Sequence, residues 1–532
     1  MNQEARRLVE RLWKYCNVLR DDGVSSIDYL EQLSFLVFLK MADEIEKLNP
    51  YLPAEEHEHV LPTTDEWKTR GWSELVRLEG DPLEQAYTKL LTDLGHRSAG
   101  DDHTTLSLIF NRARNRIENP ANLRRLIVDL INKEKWYQGR SDINGAAYEA
   151  LVQRTAQDTK AGAGQYFTPR VLIESIVRCM RPTSKDKITD PACGTGGFLL
   201  AAYQYIIREC GKDLPDEDLN YLRTKAIWGT ELVPSTARLA AMNLLLHSLG
   251  DPVGKPLIEV RDALEKPSDR LASMVLANPP FGRASKLAIS GGNGDEDDGD
   301  RDDVAYYRPD FWLGDLTTTN KQLNFLQHIG TLLTERGRAA VVLPDNVLFE
   351  GGKNSAGAQI RRELLSNYNL HTMLRLPDNI FLAGGVKANV LFFDAVSDHR
   401  EDDDPPNTGQ LWVYDLRTGS NFTLKQRPLK AEHLADFEQR AFPVDDPQRQ
   451  SRKERQSDLF RPFDARELLA DERVSLDIGL LDPSASEAGE SPSIEQLTVS
   501  VADDLRRALA EIEAFAEELG VDLSELNRST VV

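Results

Sequence analysis

The sequence has few cysteines, no long apolar run and a deficit of positive charge. Its four cysteines are Cys16, Cys179, Cys193 and Cys210. No two of them stand at metal-ligand spacing, so neither a zinc knuckle nor a disulfide framework is expected, and no metal site is read from the sequence. Cys179 and Cys210 fall on apolar helix faces, as reduced thiols of a cytoplasmic protein would. The apolar stretch Ser34-Phe35-Leu36-Val37-Phe38-Leu39 ends at Lys40. It is far shorter than the ~20 residues that span a bilayer. The N-terminus has no signal-peptide pattern, so no membrane association is expected. Lys and Arg number 64 against 86 Asp and Glu, a net charge of −22. A field of that sign does not attract DNA phosphates. Any nucleic-acid binding must come from local basic residues or from a partner.

What is present begins with Asn278-Pro279-Pro280-Phe281, after the apolar run Met274-Val275-Leu276-Ala277. The two prolines fix φ and remove two backbone donors. The Asn278 amide and the Pro279 carbonyl are left as acceptors, with the flat ring of Phe281 beside them. Two acceptors and a ring suit a planar, amine-bearing group, such as a flipped adenine presented for chemistry on its exocyclic amine. A turn after a buried strand accounts for the tetrapeptide equally well.

Upstream, Ile188-Thr189-Asp190 ends a strand candidate, and Pro191-Ala192-Cys193-Gly194-Thr195-Gly196-Gly197-Phe198 follows. Leu199, Leu200, Tyr203, Ile206, Ile207 and Cys210 then form a helical stripe. Asp190 therefore sits at a strand end, with a helix opening near Gly197. The glycines let backbone approach a ligand, and the helix start offers free N–H groups. The lysine of a phosphate-gripping loop is missing, and an Asp before the turn repels phosphate. That Asp suits an ammonium group, such as that of a methionine moiety.

Two more strand candidates end in acids: Ala226 to Glu231, and Ile258 to Asp262. An acid ending the second strand is where doubly wound nucleotide folds grip a ribose. Asp262 has the chemistry to accept from an adenine amine of a cofactor. Each acid alone also reads as a cap or a solvated loop residue. The succession Asp, Glu, Asp, Asn at four strand ends in an alternating β-α register is the stronger signal. Ahead of it, Gly164-Gln165-Tyr166-Phe167-Thr168-Pro169-Arg170 predicts a helix with Thr168 as N-cap and Pro169 in its first position.

In this order the motifs resemble the gamma-type amino-methyltransferases of DNA. More closely, the chain resembles the modification (M) subunit of type I restriction-modification systems. The specific motifs span Gly164 to Phe281, and the general likeness covers most of the chain. The resemblance implies S-adenosylmethionine (SAM) as methyl donor and adenine in DNA as acceptor. It implies that Gln165, Tyr166, Phe167, Thr168, Pro169 and Arg170 line the cofactor pocket together with Gly194, Thr195, Gly196, Gly197 and Phe198. Asp190 then lies near the methionine end, Glu231 takes the ribose, and Asp262 takes the adenine of SAM. Asn278, Pro279, Pro280 and Phe281 hold the target base. Cys193, a departure within the glycine turn, reads as a small packing residue and not as a nucleophile. The implied partners are DNA, a specificity (S) subunit and a second M subunit, with room for a restriction (R) translocase-nuclease.

The expected fold is α/β: a doubly wound SAM-dependent methyltransferase sheet with an antiparallel edge hairpin, a helical N-terminal domain and a helical C-terminal tail. The division expected is 1–155 helical, 156–425 catalytic, and 426–532 charged linker and tail. The N-terminal helices show in Leu8, Leu12, Tyr15 and Leu19, then Leu30, Leu33, Phe35, Leu36 and Phe38. Arg112, Arg114, Arg116 and Arg124-Arg125 read as a solvated face or a DNA-facing strip. A helix is expected over Ala237 to Leu249 and another from Asn320 to Arg336, then strands at 339–344, 371–376, 388–393 and 410–414. The last two are expected to pair antiparallel across an acidic loop. Residues 440–460 read as irregular and 483–494 as a linker. Val501 to Leu519 reads as an amphipathic helix that docks on a partner or on its own subunit. The acidic run Asp295 to Asp303, after three nearby glycines, reads as a solvated segment or a flap over the target-base pocket. The alternatives to the M-subunit reading are a self-contained adenine methyltransferase, an enzyme acting on RNA or protein glutamine, and a silent SAM-binding scaffold.

Overall fold

The computed structural model describes residues 3–48, 71–97, 104–136, 141–158, 168–211, 213–281, 306, 308–314, 317–381, 386–396, 404–417, 422 and 427–480. Gln165, Tyr166 and Phe167, the acidic run 295–303, the linker 483–494 and the helix expected at 501–519 lie outside the described residues. The chain divides into two units, residues 1–480 and residues 481–532.

The first unit is built around a nine-stranded sheet in the order β3-β2-β1-β4-β5-β7-β6-β8-β9. The strands are β1 Ile188–Asp190, β2 Ile227–Glu231, β3 Ile258–Val260, β4 Ala272–Ala277, β5 Leu333–Pro344, β6 Tyr368–Arg375, β7 Ala388–Ala395, β8 Gln410–Asp415 and β9 Phe460–Asp464. β1 to β5 are mutually parallel where they pair, and β7 runs antiparallel to both β5 and β6. β4 reads as a continuous apolar run because both faces are covered, as parallel sheets require. Met274 and Leu276 pack on one face with Ala340, Val342 and Phe392. Val275 and Ala277 pack on the other with Ala339, Val341 and Leu391.

Several expectations are corrected. The strands at 388–393 and 410–414 do not pair: β7 lies between β5 and β6, while β8 runs parallel to β6 and antiparallel to β9. The antiparallel hairpin is β6–β7, and the sheet continues past it. Residues 440–460 are not wholly irregular: a 3₁₀ turn, Gln450–Arg455, leads to β9. Residue 425 falls between β8 and β9. The helix expected to reach Arg336 is Lys321–Leu332, and β5 begins at once. Arg336 at φ 60° marks a register shift within that strand, where a helix cannot continue. The helix expected at 237–249 is Pro234–Leu246. Proline suits its first turn, and Ser248 at φ 62° lies just past its end.

The N-terminal region is helical. Gln3–Asp21 and Ser26–Leu48 are its first two helices. Leu8, Leu12, Leu19, Leu30, Leu33, Phe35, Leu36 and Phe38 are all buried there. Ala241, Met242, Leu245 and Leu246 of the Pro234–Leu246 helix join that same cluster, while Ala237, Ala240 and Leu244 join the core under the sheet. One helix thus serves two cores. Arg238 on it is 5% exposed and donates to the carbonyls of Ile109 and Asn111 at 2.6 Å each. It also pairs with Glu31. Among the described residues, no helix is long and apolar enough to cross a membrane.

Candidate active site

Parallel pairing sets Asp190 opposite Gly229 and Glu231 opposite Val260. Asn278 follows the last residue of β4, and Asp262 stands two residues past β3. All four therefore lie at the carboxyl edge of the sheet. The strand order reverses beside β1, and open α/β sheets bind ligands in the crevice at such a reversal.

The turn after β1 is stitched to β2. The Cys193 N–H donates to the Thr230 carbonyl at 3.0 Å. The Gly194 N–H donates to Glu231 Oε2 at 3.0 Å, and the Val233 N–H to Oε1 at 2.9 Å. Asp190 Oδ1 accepts from the Ala192 N–H at 3.0 Å. Gly196 caps the helix Gly197–Cys210 at φ 81°, in the left-handed region where glycine carries no Cβ penalty. Gly194 is also left-handed, at φ 55°, and a Cβ there would meet open space. The Thr195 carbonyl is held by Asn243 Nδ2 at 3.0 Å.

This corner concentrates negative charge. Burial pushes the Asp190 carboxyl up to about 8, with Glu231 adding to the rise against the Ala192 N–H. Burial raises Glu231 too. Among the described residues, neither acid pairs with a lysine or arginine. Two acids whose carboxyls burial raises, beside an open glycine turn and a helix start, fit a cationic, amine-bearing ligand. SAM, with its ammonium and sulfonium, is such a ligand. Burial raises the Cys193 thiol, and both acids raise it further, so it is no nucleophile.

Asp262 is already engaged. Its Oδ1 accepts from the Leu264 N–H at 2.9 Å, and Oδ2 from the Tyr306 hydroxyl at 2.8 Å. Phe198 is buried in the apolar core beneath the sheet. The Arg170 guanidinium donates to Glu149, Glu174 and Gln204, tying the helix Ser141–Asp158 to the sheet region.

The Asn278–Phe281 motif is held from both sides. The Pro280 carbonyl accepts from Gln322 Nε2 at 3.0 Å. Phe281 is buried, edge-to-face with Phe381 at 5.5 Å between centroids. Asn278 is buried, and its Nδ2 donates to Thr168 Oγ1 at 2.7 Å. Its Oδ1 has no hydrogen-bond partner among the described residues. The expectation for Thr168 is corrected here. The N-cap is Pro169, and the helix is Arg170–Met180. The proline carbonyl accepts the first helical N–H groups, from Leu172 and Ile173. That leaves the threonine hydroxyl free to meet Asn278. The contributions of Tyr306, Gln322 and Asn243, and the contact of Thr168 with Asn278, carry no signal in local sequence pattern.

Comparison with known proteins gives the family. The N-6 DNA Methylase family profile matches residues 139–458, and the HsdM N-terminal domain profile matches residues 8–133. The EcoKI methylase subunit of Escherichia coli strain K12, a type I restriction enzyme component, is 35% identical over 98% of this chain and 97% of its own length. A solved chain from work on complex assembly and conformational transition of the type I R-M system aligns over the whole of both chains, at TM-score 0.69 and 24% identity. The type I methyltransferase subunit of Streptococcus thermophilus aligns over 88% of this chain and 98% of its own, at TM-score 0.62 and 19% identity. The family profile and the near-full-length relative thus define an N6-adenine DNA methyltransferase. Within that class, the chain belongs to the family of type I restriction enzyme methylase subunits.

Proposed function

We propose that this chain transfers a methyl group from SAM to the exocyclic amine of an adenine flipped out of DNA, as the methylating subunit of a type I complex. The observation that carries the reading is the Asn278 amide: buried at a strand end, anchored through its nitrogen, with an oxygen that has no partner among the described residues. A buried acceptor left unmade costs about 1–3 kcal/mol. An adenine amine that donates to it recovers that cost when the base arrives.

When bound, SAM supplies an electrophilic methyl on its sulfonium. Asp190 and the Gly194–Gly197 turn hold its methionine end. Glu231 takes the ribose, and Asp262, steadied by Tyr306, takes the adenine ring. Pro169 and Arg170 border this pocket in the same reading; Gln165, Tyr166 and Phe167, which the resemblance also assigns to it, lie outside the described residues. The target amine is a poor nucleophile because its lone pair is delocalised into the ring. Accepting its two N–H bonds with Asn278 Oδ1 and the Pro279 carbonyl favours a pyramidal nitrogen, whose lone pair then faces the methyl. The catalysis is positioning plus hydrogen-bond electrostatics. Phe281 offers apolar contact to the base.

The partners proposed are DNA, a specificity subunit and a second methylating subunit, with a restriction subunit as a further one, in the cytoplasm. Complete adenine-methylation mapping of host DNA, with the gene deleted and then restored, tests the function. Loss and return of N6-methyladenine at one recurring sequence is expected. An unchanged methylation map in the deletion strain would overturn the reading.

A further inference from the structure

We propose that Thr168 is a positioning residue for methyl transfer: its hydroxyl anchors the buried Asn278 amide where the target adenine meets it. The inference rests on the catalytic reading of Asn278. It assigns Thr168 a role toward the acceptor base, where its sequence neighbourhood points to the cofactor.

Four observations carry it. Thr168 and Asn278 are 7% and 8% exposed, so water does not compete for their contact. The Nδ2 to Oγ1 distance of 2.7 Å is that of a well-formed hydrogen bond. The threonine hydroxyl is not spent on the helix start, which Pro169 closes through its backbone. The mount is also rigid. Pro169 fixes φ at −53°, and the following helix buries Leu172, Ile173, Ile176 and Val177 against the sheet.

An asparagine amide presents a donor at one end and an acceptor at the other, and nothing intrinsic to it selects which end faces a pocket. The adenine amine brings donors. It is accepted only when Oδ1 faces it, and it is opposed donor-to-donor when Nδ2 does. In the structure the hydroxyl accepts from Nδ2, and Oδ1 has no partner among the described residues; since a hydroxyl also donates, its part is to hold the amide in place. Without the hydroxyl, the buried amide loses this anchor, and its position toward the base is less well defined. The predicted signature is therefore a fall in kcat with cofactor affinity retained.

The test uses the full chain assembled with its specificity partner and DNA. kcat is read at saturating SAM and DNA, and the SAM Kd is read by titration calorimetry. Thr168→Val and Thr168→Ala are each expected to lower kcat by about tenfold or more while keeping the SAM Kd within about threefold. Thr168→Ser, which keeps the hydroxyl, is expected to restore kcat to within about threefold of wild type. In an Asn278→Ala background, Thr168→Val is expected to add no further loss. Wild-type kcat in Thr168→Val, or weakened SAM binding with kcat intact at saturation, would overturn the proposal. Near-normal turnover by Asn278→Ala alone would instead overturn the catalytic reading beneath it.

Discussion

Asp190 carries the largest displacement among the acids of the candidate site, and its sign makes a pH prediction. Its carboxyl is lifted from the ordinary range to about 8 by burial, with the Glu231 charge adding to it. A raised acid contributes stability that is complete below about pH 4 and is lost as pH rises toward 8. A cationic ligand reverses the preference, because it favours the ionised carboxylate. SAM binding near pH 7 should then expel a proton, and affinity should rise roughly tenfold between pH 6 and 7. Calorimetry in two buffers of different ionisation enthalpy measures both. Asp190→Asn should flatten the pH dependence. A proton count of zero in the wild type would remove Asp190 from the cofactor's ammonium. At this scale, much of the site was legible in sequence. Asp190, Glu231, Asp262 and Asn278 announce themselves as polar residues closing apolar runs. Gln322 and the contact of Thr168 with Asn278 do not, because the partners, Pro280 and Asn278, lie 42 and 110 residues away in sequence. Pairing at that distance leaves no local pattern.

The glycine turn and β2 form one unit, and two of their glycines differ in what they tolerate. A Cβ on Gly229 would stand 2.8 Å from Cys193 Cβ and 2.9 Å from Leu199 Cδ1. Gly229→Ala is therefore expected to cost about 1–3 kcal/mol of stability by overpacking, read by denaturant unfolding. Gly194→Ala meets no atom, so its cost is the φ 55° backbone, about 1–2 kcal/mol. Its methyl would project on the open side of the turn, and SAM affinity should fall more than stability. Equal SAM affinity in Gly194→Ala and wild type would place the cofactor elsewhere. Existence of the elements was legible, since buried strands such as β4 and stripes such as Leu199 to Ile206 follow from apolar runs and period. Pairing was not. β7 enters between β5 and β6 through contacts made by both of its edges, and no run of residues in β7 encodes its neighbours.

Across the whole molecule, the helix Pro234–Leu246 joins the N-terminal helices to the methyltransferase core, and Arg238 stands at the junction. Breaking a buried charge pair leaves an uncompensated charge and costs about 3–5 kcal/mol. Arg238→Ala removes the charge on this side, strands Glu31, and should lower the unfolding midpoint of the described unit as one transition. The net charge of −22 also argues at this scale. It supplies no bulk field toward DNA, so the chain alone is expected to bind SAM without methylating a defined site. Of the arginines read as a strip, Arg112, Arg114, Arg116 and Arg125 are exposed, while Arg124 is bound to the carbonyls of Val76 and Leu78. Robust site-specific methylation by the chain alone would favour the self-contained alternative.

The most direct test of the central claim separates cofactor binding from chemistry at one residue. SAM affinity and methyl transfer to a cognate duplex are measured side by side for the assembled wild type and Asn278→Ala. The account predicts SAM binding within about threefold of wild type and loss of transfer by at least about a hundredfold, since an electrostatic contact of this kind is worth about 10²–10³ in rate. Near-normal transfer by Asn278→Ala would contradict it.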